Sequence, residues 1–143
     1  MNDYLKSVVD PKLGLNNNLN RIREYLQTYF LYVAYKTKSY QNLVFTGGTA
    51  LRFIYKIRRF SEDIDFSLST RAKNYDFNDL VGRIQQEFNL AGYNLEIKFS
   101  SERTVHSALL KFSDILYETG LSPLKDQKIL MRLPMCNSTC FRT

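Results

Sequence analysis

The chain has no tryptophan, one histidine, two cysteines and three prolines in its 143 residues. These shortages narrow the chemistry. Cys136 and Cys140 form a C-x3-C pair near the end of the chain, far from the lone His106, and that is poor evidence for a metal centre built on sulfur and imidazole. Long hydrophobic runs are also lacking. The most apolar stretch, around Tyr29 to Tyr35, falls far short of a bilayer span. The start after Met1 is polar and of mixed charge, without the pattern of a signal peptide. A cytoplasmic protein with no membrane partner is therefore expected. Repeats, low-complexity linkers and composition breaks are missing too, so residues 1–143 are expected to form a single domain.

Apolar residues make up 44% of the chain and charged residues 24%, the balance of a globular protein. Ten tyrosines and ten phenylalanines supply the large apolar area that tryptophan does not. The net charge of +6 favours an anionic partner such as a nucleotide or RNA, although many small soluble proteins are basic.

Periodicity predicts alternating helices and strands. Asn16 to Asn20, NNNLN, offers N-cap chemistry before a helix whose face is Ile22, Tyr25, Leu26, Tyr29, Tyr32 and Val33, ending near Thr37. Leu43 to Phe45 reads as a buried strand, and Thr49 to Ile57 as a helix with Leu51, Ile54 and Tyr55 on one face. Asp63 to Leu68 alternates as a strand. Phe77, Leu80, Val81, Ile84 and Phe88 mark a second long helix that stops near Gly92. Strands are expected at Leu95–Phe99, Val105–Phe112 and Ile129–Leu133, with a short helical turn at Leu116–Leu121. Such an order implies an α/β or α+β domain with a mixed sheet flanked by helices.

Two features carry the chemistry, both within VFTGGTALRFIYKIRRFSEDIDFSL, Val44 to Leu68. On a strand, Asp63 and Asp65 share one face while Ile64 and Phe66 share the other. Two carboxylates so close repel unless a cation neutralises them, and Mg²⁺ is commonly held by one or two carboxylates together with substrate phosphates. A D-x-D also occurs simply as an acidic, solvent-facing strand edge. Gly47 and Gly48 close a strand and open a helix, where a bare backbone and free N–H groups can receive a phosphate. Thr49 adds a hydroxyl, as N-cap or as phosphate donor. A tight turn without a ligand has the same appearance, and neither a Walker loop nor G-x-G-x-x-G is present. The helix between the two features spans about 13 Å. A strand–helix–strand return of that length can bring the glycines and the aspartates to the same end of adjacent strands.

The combined stretch resembles the signature of the polymerase-β-like nucleotidyltransferase superfamily, and more closely the AbiEii/AbiGii toxin family. Gly47, Gly48, Thr49, Ala50 and Leu51 match its first motif; Arg59, Ser61, Asp63, Ile64, Asp65 and Phe66 match its second. The later LLKFSDILYETGLSPLKDQKI resembles the family's middle segment, with Lys128 at the place of a phosphate-contacting lysine. The resemblance covers roughly Leu43 to Leu133. It implies a polymerase-β-like fold, an NTP and Mg²⁺ as ligands, and catalytic and metal-binding roles for Asp63 and Asp65. It further implies nucleotide binding by Gly47, Gly48, Thr49, Arg59, Ser61 and Lys128. Members of the family are toxins of toxin–antitoxin and phage-defence pairs, some of which add nucleotides to tRNA ends, so an antitoxin protein and tRNA or other RNA are implied partners. Arg52, Lys56, Arg58 and Arg59 lie near the site and are compatible with an RNA or triphosphate partner; a solvated helix face is the alternative for all four and the preferred account of Arg52 and Lys56, and Arg59 can pair with Asp63 or with a phosphate.

The chain departs from the family at its end. The superfamily has a third carboxylate on a later strand, and Leu133, Pro134 and Met135 stand where it is expected. Pro134 has no N–H for a sheet ladder and is not expected in a central strand. Glu96 is a candidate substitute, although a solvent-facing strand position explains it. The domain is expected to be incomplete at its C-terminus, with an out-of-frame tail beginning near Pro134. Without a third acid, transfer should be weak or absent. The alternative to an active transferase is therefore a catalytically inactive, truncated module that binds nucleotide or RNA.

Overall fold

The computed structural model of the chain describes residues 3–69, 76–101 and 105–136. Cys140 and the rest of the expected tail beyond Cys136 lie outside these residues. In chain order come α1 (Asp3–Val8), α2 (Leu15–Lys36), a 3₁₀ turn (Ser39–Gln41), β1 (Leu43–Thr46), α3 (Gly47–Tyr55) and β2 (Asp65–Leu68). There follow α4 (Phe77–Leu90), β3 (Asn94–Ser101), β4 (Val105–Ser113), α5 (Ile115–Glu118) and β5 (Ile129–Cys136). The sheet has the order β1-β2-β5-β4-β3. Among the described residues only β2 and β5 run parallel; the other neighbours are antiparallel. The expected mixed sheet is present, and its one parallel pair joins the aspartate strand to the last strand.

Alternation sorts the two faces of the sheet. Ile129, Met131, Leu133 and Met135 of β5 are buried, as are Ala108, Leu110 and Phe112 of β4. They meet α2 through Ile22, Leu26, Phe30 and Val33, and α4 through Phe77, Leu80, Val81, Ile84 and Phe88, in one apolar cluster. Ring contacts fix the layers: Phe30 lies 5.9 Å from Phe66, and Phe88 lies 5.3 Å from Phe112. The opposite, outer face of β3 and β5 carries Glu96, Lys98, Leu130 and Arg132, all exposed. No helix among the described residues is long and apolar enough to cross a membrane.

Four local expectations are corrected. First, α1 was not foreseen, because six residues are too few to show a helical period. Second, α2 begins at Leu15, so the asparagines lie inside it. Asn18 is buried and ties down the preceding loop: its Oδ1 accepts from Asp10 N at 2.9 Å, and its Nδ2 donates to Asp10 O at 3.0 Å and Leu13 O at 3.2 Å. Third, the apolar face of α3 points outward. Leu51, Ile54 and Tyr55 are exposed, while Thr49 and Ala50 are buried, because this short helix packs by its N-terminal turn against β1 and β2. Fourth, Pro134 does sit in a central strand, opposite Ser107 of β4. Ile64 N donates to Arg132 O at 3.0 Å, so alternation points the Pro134 nitrogen toward β2 as well. There the paired register begins one residue later, at Phe66 and Met135. The missing N–H thus falls at the mouth of the ladder.

Asn18→Ala strands buried backbone groups and is expected to lower stability by about 1–3 kcal/mol. Urea unfolding should show a lower midpoint with unchanged slope.

Candidate active site

The two glycines and the two aspartates meet. Thr46 and Asp65 are partners in the β1–β2 register, so the chain leaving β1 passes directly over Asp65. Gly47 has φ +75°, and a Cβ built on it would lie 2.0 Å from Asp65 Oδ2. Both the left-handed backbone and the close approach require glycine here. A Cβ on Gly48 would lie 3.3 Å from Ser61 Oγ, which places the Ser61 hydroxyl against the same turn.

The backbone carrying Asp63 is pinned from several sides. Gln27, buried on α2, donates from Nε2 to Ser61 O at 2.7 Å and to Asp63 O at 3.5 Å. Thr49, fully buried, donates its hydroxyl to the Asp63 carbonyl. Ile64 N is held by β5, as described above. Thr49 is thus neither the N-cap, which is Thr46, nor an open hydroxyl facing a ligand; it braces the aspartate segment. Arg52 is not a solvated helix residue. Its Nε meets Glu24 Oε2 at 2.8 Å, its Nη1 donates to Ile57 O at 2.8 Å, and its guanidinium lies 3.6 Å from the centre of the Phe60 ring. It clasps the segment between α3 and β2 to α2. Lys56 caps α3 in the left-handed region at φ 54°.

These contacts shape a cleft of about 990 Å³. It is lined by Gly48, Leu51, Ile57, Arg59, Phe60, Ser61, Glu62 and Asp63 from α3 and the segment leading to β2, by Leu109 of β4, by Leu130 and Arg132 of β5, and by Arg23 of α2. Arg23 Nη1 lies 3.3 Å from Glu62 Oε1. Sequence reasoning missed Arg23, Gln27 and Arg132. For Gln27 a signal existed: Phe30 and Ala34 follow it at three and seven positions, so it flanks the buried stripe of α2. Arg132 becomes visible only once β5 is known to neighbour β2.

Of the expected site residues, Gly47, Gly48, Thr49, Arg59, Ser61, Asp63 and Asp65 come together. Lys128 does not join them. Its Nζ lies 2.8 Å from Glu96 Oε2, and it stands four residues before Arg132, about 13 Å along an extended strand. Glu96 is likewise remote from the aspartates, three strands over from β2, or about 14 Å. Lys128 holds the Glu96 carboxyl below its usual range, by a hydrogen bond and by charge. The register extends to identify what replaces a third acid. Phe66 pairs with Met135, so Pro134 stands beside Asp65 and Arg132 beside Asp63, on the outer face; Leu133 and Met135 point into the core.

Asp65 titrates above its ordinary 3.8, first because burial disfavours the charged form and second because Asp63 repels it. A carboxylate pair in that state favours a cation. Among the described residues no group of three His, Cys, Asp or Glu side chains is arranged around a common point. The pair suits a single divalent ion whose other ligands come from phosphates and water.

A family model, the nucleotidyl transferase AbiEii toxin of type IV toxin–antitoxin systems, matches residues 29–134. Solved structures share the fold. One is a proposed nucleotidyltransferase from H. pylori, with 20% identity and a TM-score of 0.53, aligned over 78% of this chain and 44% of its own. Another is JHP933 from Helicobacter pylori, with 18% identity and a TM-score of 0.51, over 81% of this chain and 44% of its own. The chain therefore spans less than half the length of these neighbours. No curated protein matches it.

Two outcomes follow from the geometry. Gly47→Ala is expected to cost about 2 kcal/mol or more, from the positive φ and the clash with Asp65, read by chemical denaturation. The folded-state pKa of Asp65 is raised, so its contribution to stability is complete below 3.8 and is lost as pH rises through the raised value. Asp65→Asn should therefore melt at a higher temperature than the parent at neutral pH in EDTA, and the difference should vanish in strong acid.

Proposed function

Because the chain belongs to the AbiEii family of nucleotidyltransferase toxins, we propose that its cleft binds an NTP and transfers a nucleoside monophosphate to an acceptor hydroxyl. The observation that carries this reading is the contact of Gly47 with Asp65. One turn offers bare backbone N–H groups at the start of a helix, and beneath it stand the two carboxylates that would hold Mg²⁺. The triphosphate lies along Gly47 and Gly48, with the backbone of Thr49, Ser61 Oγ and Arg59 as further donors. Mg²⁺ bound to Asp63 and Asp65 would offset charge on the phosphate oxygens as the acceptor adds. The acceptor oxygen attacks the α-phosphorus, its proton is released, the bond to the β-phosphate oxygen breaks, and pyrophosphate leaves. The basic charge suits tRNA or another RNA as acceptor, in the cytoplasm, and an antitoxin protein as partner. A role in phage defence accords with the family. Lys128 serves the phosphates only if its pair with Glu96 opens.

A specific observation favours a second reading, a module that binds nucleotide or RNA without chemistry: Pro134 occupies the place beside Asp65 where a third carboxylate would complete the site. Incubating the chain with labelled NTPs, Mg²⁺ and total RNA separates the two readings, since only a transferase leaves covalent label on RNA. Under both readings, Asp63→Ala and Asp65→Ala should abolish the Mg²⁺-dependent part of NTP binding. Calorimetric titrations unchanged in both variants would refute the site.

A further inference from the structure

β5 brings a guanidinium beside Asp63, two residues before the place where an acid is expected. Arg132 is exposed on the outer face. Its partner across β4 is the apolar Leu109, and its neighbour toward β2 is Asp63. It makes no ion pair among the described residues, and neither does Arg59, which reaches the same cleft from the segment between α3 and β2. Arg23 is the third arginine of the lining, held by Glu62. Three guanidiniums thus face two lining carboxylates, Glu62 and Asp63. With Asp65, the second carboxylate of the site, counted as well, the unliganded site is neutral, 3 − 3 = 0. A site that relies on metal alone to attract phosphate is negative. Guanidinium groups bind phosphate oxygens through paired, charge-assisted N–H bonds and stay charged at any working pH.

We infer that Arg132 and Arg59 bind the phosphate chain directly, so that this cleft holds a triphosphate without a divalent cation. The inference rests on the triphosphate reading of the cleft, and it adds a phosphate-binding residue on β5. It also gives Pro134 a consequence. With no third carboxylate, less negative charge opposes an anion that arrives without its metal.

Inorganic tripolyphosphate is the suitable probe, because it carries the phosphate chain without a base. The full chain is titrated calorimetrically in EDTA at low salt. The parent should bind. Arg132→Gln and Arg59→Gln should each weaken binding about tenfold or more, while folding as the parent does by thermal unfolding. Arg132→Lys should recover part of the loss. Arg83→Gln, which removes a positive charge on α4 paired with Asp79, should have no effect. The inference is overturned if the parent does not bind in EDTA, if both arginine variants bind like the parent, or if Arg83→Gln weakens binding as much as they do. Asp65→Asn keeps the outcomes apart. Retained binding in EDTA supports the arginine site, and lost binding counts against it. Labelling of RNA by the same variant bears only on the transferase reading.

Discussion

A side chain of any size at position 47 would occupy the space of the Asp65 carboxylate. That exclusion organises the active end of the molecule. It requires the chain to leave β1 in the left-handed region, which starts α3 directly over β2. It sets the free N–H groups of the helix beside the carboxylates that phosphate-bound cations would seek. The surrounding contacts keep this approach from relaxing. Thr49 and Gln27 hold the Asp63 carbonyl from the helix side, and Arg132 O holds the Ile64 amide from β5. Arg52 then clasps the returning segment to α2 through Glu24 and Phe60. The carboxylates are therefore carried on a backbone with little freedom, as a preorganised site requires.

Charge is distributed unevenly around this frame. Asp65 is desolvated and repelled by its neighbour, a cost that a cation held there would offset. Arginines from α2, the α3–β2 segment and β5 converge on the adjoining cleft. Binding of a polyanion with its counter-ions satisfies both groups at once. The lining also includes the apolar Leu109, Leu130 and Phe60, so the cleft joins charged groups to apolar surface.

Much of this was legible in the residues. The alternation of Asp63 to Phe66 and of Leu95 to Phe99, and the helical periods from Ile22 and from Phe77, give four elements with small boundary errors. The pairing of glycine turn and aspartates was legible because it needs only one strand–helix–strand return. Three things were not. The six-residue α1 has no period to detect. The outward face of α3 looked like a core stripe, since periodicity reports that apolar residues share a side and not which side is covered. The place of Pro134 depended on which strand neighbours β5 and on the direction a backbone nitrogen faces, and neither is encoded locally. For the same reason Lys128 resembled a site residue by sequence position, while the register of β5 leaves it at the far end of the strand.

The parallel pairing of β2 with β5 also has a consequence in time. Strands β3 and β4 close on each other through a short connection, and β2 has β1 beside it early, but its parallel partner is made nearly seventy residues later. Contacts of such separation form late, after their loop entropy has been met by other structure. While the chain is being synthesised, the glycine turn and the Asp65 strand beneath it can come together first, and Arg132 cannot face Asp63 until β5 is inserted. The side of the cleft that Arg132 lines is therefore the last part of it to be built.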